Sequence, residues 1–296
     1  MTATTISQVL SNFNPRMPLS GQNLQLWSVP RASSPRRRLE ILLRGQREPM
    51  KVLLVGHRGS GKTTELNKLA GKITDQFETV GFDVLNITGR STLGYEDLML
   101  SLSTQITRYC IDKRLIGRPL NDPLQAGWQN LADWWRRVVA GLEIGKEGGE
   151  IETYATLSTL LGEIEIGATQ SAFTRDQINL QIDRQMPELV RQLNWVIDEA
   201  NRNLAPRRLL LIVEGLDKVD LSAARNVFRN HAPTITALNA SMIYTFPLAC
   251  AIQKIIALCV TTSTRTTFCT IWPCATPTAA KTRQASRHWA RLCTDG

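Results

Sequence analysis

The stretch KVLLVGHRGSGKTTELNKLA, residues 51–70, sets an apolar run, Val52–Val55, before a glycine-rich turn, a lysine, two threonines and a helix-like segment. Gly56 to Thr63 fits G-x-x-x-x-G-K-[ST], in which small residues let successive backbone N–H groups point at phosphate oxygens. A side chain at the glycine positions would block that approach. The candidate phosphate-binding residues are therefore Gly56, His57, Arg58, Gly59, Ser60, Gly61, Lys62, Thr63 and Thr64. Lys62, read as a solvated charge serving the phosphates alone, would reach the β- and γ-phosphates, and the Thr63 hydroxyl would ligate Mg²⁺. The helix that starts there would place its partial positive charge beneath the same phosphates.

A loop of this kind needs a second strand that carries an acid to the metal. RRLLLIVEGLDKVD, residues 207–220, offers the apolar run Leu209–Val213, then Glu214, then Asp217. This is the Walker B pattern, whose first acid holds Mg²⁺ through its water shell. Aspartate is usual at that position; glutamate moves the carboxylate outward by about one bond length. Asp217 is the candidate for orienting or deprotonating an attacking water. Lys62 and Asp217 are thus the catalytic candidates, and Thr63 and Glu214 the metal ligands. A guanine-reading N-K-x-D motif is missing: the one Asn-Lys pair, Asn67–Lys68, lies on the loop helix and lacks the aspartate. ATP with Mg²⁺ is the expected ligand.

Strands and helices must alternate to position these groups. The sequence predicts strands at Val52–Val55, Val80–Ile87, Leu209–Val213 and Ser241–Phe246. Helices are predicted over Tyr95–Cys110, Leu131–Val139, 174–203 and Leu221–Asn230, with a Gly/Pro/Asn connection at Gly117–Pro123. The 174–203 helix carries Ile178, Ile182, Leu189, Leu193 and Ile197 on one stripe and is expected to kink at Pro187. Trp134 and Trp135 read as core. Leu142–Ile144, Glu150–Tyr154 and Glu163–Ala168 alternate polar with apolar residues, which predicts a β-hairpin or small meander inserted within 126–172. The fold class that follows is α/β, a parallel sheet flanked by helices. Residues 1–40 are expected to be a lead-in segment, 41–248 the domain and 249–296 an atypical tail; QLWSVPRASSPRRRLEILLRG, residues 25–45, reads as a strand or turn leading into a helix.

With 296 residues, 43% hydrophobic and 21% charged, the composition is that of an ordinary globular chain. Of the net charge of +9, six Lys/Arg against one acid give +5 to residues 247–296 alone. A nucleic-acid partner is accordingly not expected. The longest apolar run, Leu248–Val260, is interrupted by Gln253 and Lys254, and the first forty residues lack the apolar core of a secretory signal, so the expected location is cytoplasmic, without a membrane. The tail holds ten threonines and five of the six cysteines, with no zinc-type pair and no periodicity past Val260. It reads as disordered, or as the product of a reading-frame change near residue 250. Two bases out of frame, one back-translation of PCATPTAAKTRQAS encodes LRDADGSEDTPGF, and resequencing of the gene tests this.

GHRGSGKTTELNKL, LLLIVEGLDKVD and the following MIYTFPL together resemble bacterial AAA-type P-loop ATPases close to the STAND group, over roughly residues 22–248. The resemblance implies an additional-strand sheet, ATP-driven signalling, and a partner that is another copy of the chain or an effector protein. The chain departs from the family pattern in Glu214, in having no arginine finger beyond the candidates Arg225 and Arg229, and in lacking a recognisable final strand and helix after Pro247. A non-catalytic nucleotide-binding module is the alternative. A basic nucleic-acid-binding protein is a third reading, unsupported by any helix-turn-helix or aromatic-basic platform.

Overall fold

The computed structural model describes residues 5–6, 18–28, 34–88, 93–116, 122–140, 142, 144, 154–247 and 266–269. Two helices, α1 (Gly21–Trp27) and α2 (Arg36–Gly45), precede strand β1 (Lys51–Val55) and helix α3 (Lys62–Ala70). Then come β2 (Phe77–Asp83), the short α4 (Val84–Thr88), and five helices: α5 (Tyr95–Asp112), α6 (Asp122–Val139), α7 (Tyr154–Gln170), α8 (Ala172–Arg184) and α9 (Met186–Leu204). Strand β3 (Arg208–Glu214) leads through a 3-10 turn (Leu216–Lys218) to α10 (Leu221–Arg225), a π turn (Asn226–Asn230), α11 (Ala232–Thr236) and β4 (Ser241–Phe246). Thr266–Cys269 forms β5.

The architecture is α/β, with a parallel sheet flanked by helices. Strand order is β2-β3-β4-β1, with β5 added at the β1 edge, and every pairing is parallel. Because side chains alternate across a strand, each apolar run feeds both faces. Val52, Leu54, Leu210, Ile212 and Ile243 pack with Leu39 and Leu43 of α2 and Leu66 and Leu69 of α3. Leu53, Val55, Leu209, Leu211, Val213, Met242, Tyr244 and Phe246 join the larger core with residues of α5 to α9. Burying each such side chain contributes about 1.5–3 kcal/mol.

Local caps set where several helices begin. Ser171 accepts the Thr174 N–H (3.1 Å) ahead of α8, and Asp220 accepts the Ala223 N–H (2.7 Å) ahead of α10. At α5, the Asp97 carboxylate reaches back to the Gly94 N–H (2.9 Å).

Several sequence expectations are corrected. Glu163–Ala168 is helical, inside α7, and not part of a hairpin. Leu157, Leu161, Ile164 and Ala168 are buried at helical spacing while Ile166 is 56% exposed, so the alternating EIEI run is one turn of an amphipathic helix. Leu142 and Ile144 lie in no strand; residues 150–153 fall outside the described residues. The predicted strand Val80–Ile87 is displaced: β2 ends at Asp83, whose Oδ1 accepts the Leu85 N–H (3.0 Å) and turns the chain into α4. Helix α6 begins at Asp122, inside the expected connection, of which 117–121 are not described. The single helix expected over 174–203 is two, parted at Gln185, with Pro187 in the first turn of α9 where its missing N–H costs nothing. Gln25–Trp27, read as strand or turn, end helix α1. In the tail, β5 supplies a strand where no periodicity was expected; disorder elsewhere in 249–296 concerns residues outside those described. Trp134 and Trp135 are fully buried, as expected. Among the described residues, no helix is long and apolar enough to cross a membrane.

Candidate functional site

The glycine-rich loop leaves the C-terminal end of β1 and closes where α3 begins. Gly59 and Gly61 take φ of +78° and +87°, and Gly61 is the N-cap of α3, a left-handed position that an L side chain would strain. The loop is tied by Ser60 N–H to His57 O (3.2 Å) and by Glu65 N–H to Gly61 O (3.0 Å). Lys62, at the first helical position, is 5% exposed, which corrects the expectation of a solvated charge. Its ammonium donates to Gly56 O (2.9 Å) and His57 O (2.8 Å) and pairs with Asp217 Oδ2 at 2.7 Å.

Strand β3 delivers the acids. Thr63 and Glu214 stand 151 residues apart in sequence, yet the Thr63 hydroxyl donates to Glu214 Oε2. Strand β4 lies between β1 and β3, so this contact spans two strand spacings, about 10 Å, by way of the loop helix and the long glutamate side chain. Burial pushes the Glu214 carboxyl above its ordinary range; the Thr63 hydrogen bond opposes the shift, and the neighbouring Asp83 and Asp217 add to it. The fold thus brings Lys62 to Asp217 and Thr63 to Glu214 at the C-terminal end of the sheet. Gly56 is buried, Ser60, Gly61 and Thr64 are half-buried, and His57, Arg58 and Gly59 are exposed along the rim of the loop. Arg225 and Arg229 are exposed.

Two groups at the site were not singled out by sequence. Asp83 is the register partner of Glu214 across β2–β3, and it accepts from Lys218 Nζ at 2.6 Å. Gly215, between Glu214 and the 3-10 turn, has φ +91°, and a Cβ there would come within 2.1 Å of Asp83 Oδ1. In the sequence Asp83 falls inside the strand expected over Val80–Ile87, with nothing to mark it as a site residue. On the other flank, Glu65 is buried in the first turn of α3, accepting from Ser34 Oγ (2.5 Å) and pairing with Lys68 (2.9 Å). Burial works against its charge, but Ser34, Lys68 and Arg36 more than offset this and hold its pKa below the usual carboxylate value.

The segment before α1 straps across α3: Leu19 N–H meets Thr64 Oγ1 (3.3 Å) and Leu19 O accepts from Asn67 Nδ2 (2.9 Å). Between them lies a cavity of about 140 Å³ bounded by Leu19, Trp27, Ser28, Gly61, Thr64, Glu65 and Lys68. Among the described residues, no group of three or more His, Cys, Asp or Glu side chains is arranged to hold a metal ion. Compared with known proteins, the chain matches no family model, no curated protein and no solved structure.

Proposed function

We propose that the protein binds ATP with Mg²⁺ at Gly56–Thr64 and serves as a P-loop ATPase of signalling or regulatory type. The observation that carries this reading is the convergence of Lys62 and Thr63 on Asp217 and Glu214 at the end of a parallel sheet, where α/β folds bind phosphorylated ligands. The positive-φ glycines and the start of α3 provide backbone N–H groups for an anion, and Lys62 provides charge. Thr63 Oγ1 and Glu214 are neighbouring hard oxygen donors, the kind Mg²⁺ takes one or two of while keeping its waters. These two residues would hold the ion, which when bound supplies charge neutralisation on the β- and γ-phosphates. Asp217 would orient the attacking water once Lys62 has turned to phosphate. The cavity beside Gly61 and Thr64 offers Trp27 and Leu19 as apolar surface for the base. Strand β4 standing between β1 and β3 supports the resemblance to AAA-type and STAND-like ATPases, in which an additional strand is expected there.

A non-catalytic nucleotide-binding role is the second reading. It is favoured by Asp217 facing Lys62 and Glu214 engaging Thr63 directly. Titration of a fluorescent ATP analogue tests binding: the wild-type chain saturates, and Lys62→Ala loses binding at least about a hundredfold, as expected when the phosphate cation is removed. Because Lys62→Ala strands the Asp217 carboxylate, the Lys62→Ala/Asp217→Asn pair is measured beside it, with thermal unfolding of both. Unchanged affinity in either variant sinks the assignment of the loop. Single-turnover hydrolysis then separates the ATPase from the binding module.

A further inference from the structure

We infer that Asp217 is an internal stand-in for phosphate, a latch that nucleotide must displace from Lys62 in order to bind. This deepens the nucleotide reading above and rests on it. An ammonium group has three N–H donors. All three of Lys62 are taken, by Gly56 O at 2.9 Å, His57 O at 2.8 Å and Asp217 Oδ2 at 2.7 Å. A phosphate oxygen can engage Lys62 only by displacing one of them. The two carbonyls belong to the loop that would wrap the phosphate, so they stay with it. Asp217 alone is an anion on a separate element, and its side chain is 8% exposed against 5% for Lys62. Phosphate beside it would leave two like charges in a poorly solvated site, so the carboxylate must leave.

Its departure has a structural consequence. Asp217 sits in the 3-10 turn Leu216–Lys218, whose last residue, Lys218, pairs with Asp83 at the end of β2 and whose entry is Gly215 at φ +91°. Displacing Asp217 therefore pulls on a turn held between the ends of β2 and β3. Occupancy of the loop is thereby passed to α10, capped three residues further on by Asp220. The turn is the element whose position reports whether Lys62 is holding phosphate or carboxylate.

The test is calorimetric titration of ADP in EDTA, which leaves metal binding out of the comparison. Asp217→Asn is expected to tighten ADP binding by about tenfold, because the neutral amide releases Lys62 more easily. Asp83→Asn removes a carboxylate from the same cluster that does not touch Lys62 but frees Lys218 of the turn, and is expected to tighten ADP binding by about twofold at most. Equal affinities of wild type and Asp217→Asn, or equal gains in Asp217→Asn and Asp83→Asn, overturn the latch while leaving nucleotide binding intact. No ADP binding by either wild type or Asp217→Asn, in EDTA or after Mg²⁺ is added, overturns the nucleotide reading and the latch with it. Hydrogen exchange on the wild-type chain decides independently of how the variants fold. Added ADP should slow exchange in 57–64 and speed it in 216–218; slowed or unchanged exchange in 216–218 overturns the latch.

Discussion

On one face of the sheet Leu53, Val55, Leu211, Val213, Tyr244 and Phe246 join a thick layer built mainly from α5 to α9, whereas on the other Val52, Leu54, Leu210, Ile212 and Ile243 pack, among the described residues, chiefly with α2 and α3. The thick face joins apolar packing to a few buried polar groups: Asp97 accepts from Asn179 Nδ2 (2.7 Å), and Glu199 pairs with Arg202 (2.7 Å). Trp134 and Trp135 lie edge to face there with centroids 4.8 Å apart, and their indole N–H groups find no acceptor among the described residues. The thin face buries charge in one helix: Lys62 and Glu65 both lie in the first turn of α3, each held by named partners. Close packing holds one arrangement of side chains, while a buried charge can exchange one partner for another of the same sign. On the proposed reading, the thick face carries stability, and the site at the start of α3 exchanges Asp217 for a ligand.

The largest expected effect tests that division. Trp134→Ala should destabilise the fold by about 3–5 kcal/mol in denaturant unfolding, yet leave ADP affinity of the folded protein unchanged. Leu66→Ala, in the loop helix, should cost about 2–5 kcal/mol and also weaken ADP binding, since it loosens α3 beneath the loop. If both variants weaken binding alike, the two faces are not separable.

Next in size is turnover. Glu214→Asp should raise single-turnover ATP hydrolysis by up to about a hundredfold, since misplacement by about an ångström can cost that much. ATP affinity should barely move, because the loop N–H groups and Lys62 do not depend on residue 214. The direct Thr63–Glu214 contact sharpens this expectation, because shortening the side chain opens space between the two oxygens. The measurement belongs in the present chain and in one with the reading frame altered after residue 250. No gain in either marks Glu214 as an accommodated glutamate.

Gly215→Ala should cost about 1–3 kcal/mol, from a positive φ that L residues rarely take and a Cβ directed into Asp83 Oδ1. Loss of that turn should slow the response of 216–218 to ADP more than it alters melting.

The smallest effect is in pH. Burial raises the Glu214 pKa, so the folded chain holds a proton that the unfolded chain releases. The associated stability is fully present below the ordinary value of 4.5 and declines as pH rises through the raised value. Glu214→Gln should flatten this decline in a series of thermal melts. An identical slope in wild type and variant assigns the pH dependence elsewhere.

The comparison of faces also explains which parts of the molecule were legible beforehand. Around the loop, spacing alone carried the strand–turn–helix geometry, since Gly56 to Thr63 fixes where the glycines stand, and Leu209–Val213 is too apolar for an exposed helix. Within 126–172, pattern misled, because EIEI satisfies both a period of two and one turn of a helix. Burial of Leu157, Leu161 and Ile164 against the thick face chose the helix. The split at Gln185 and the end of β2 at Asp83 were likewise decided by capping and pairing partners remote in the chain.

By itself the sequence determined the alternation of strand and helix, the apolar runs that make the sheet central, and the loop with Lys62 and Thr63 at a helix start. These are local properties, set by backbone freedom and side-chain period. Only the tertiary structure decided that Glu214 reaches Thr63 across an intervening strand, that Asp83 stands beside it, and that Lys62 is buried with all three protons engaged. Strand order and the meeting of residues some 150 positions apart depend on how the two faces pack, and no short window of sequence contains that.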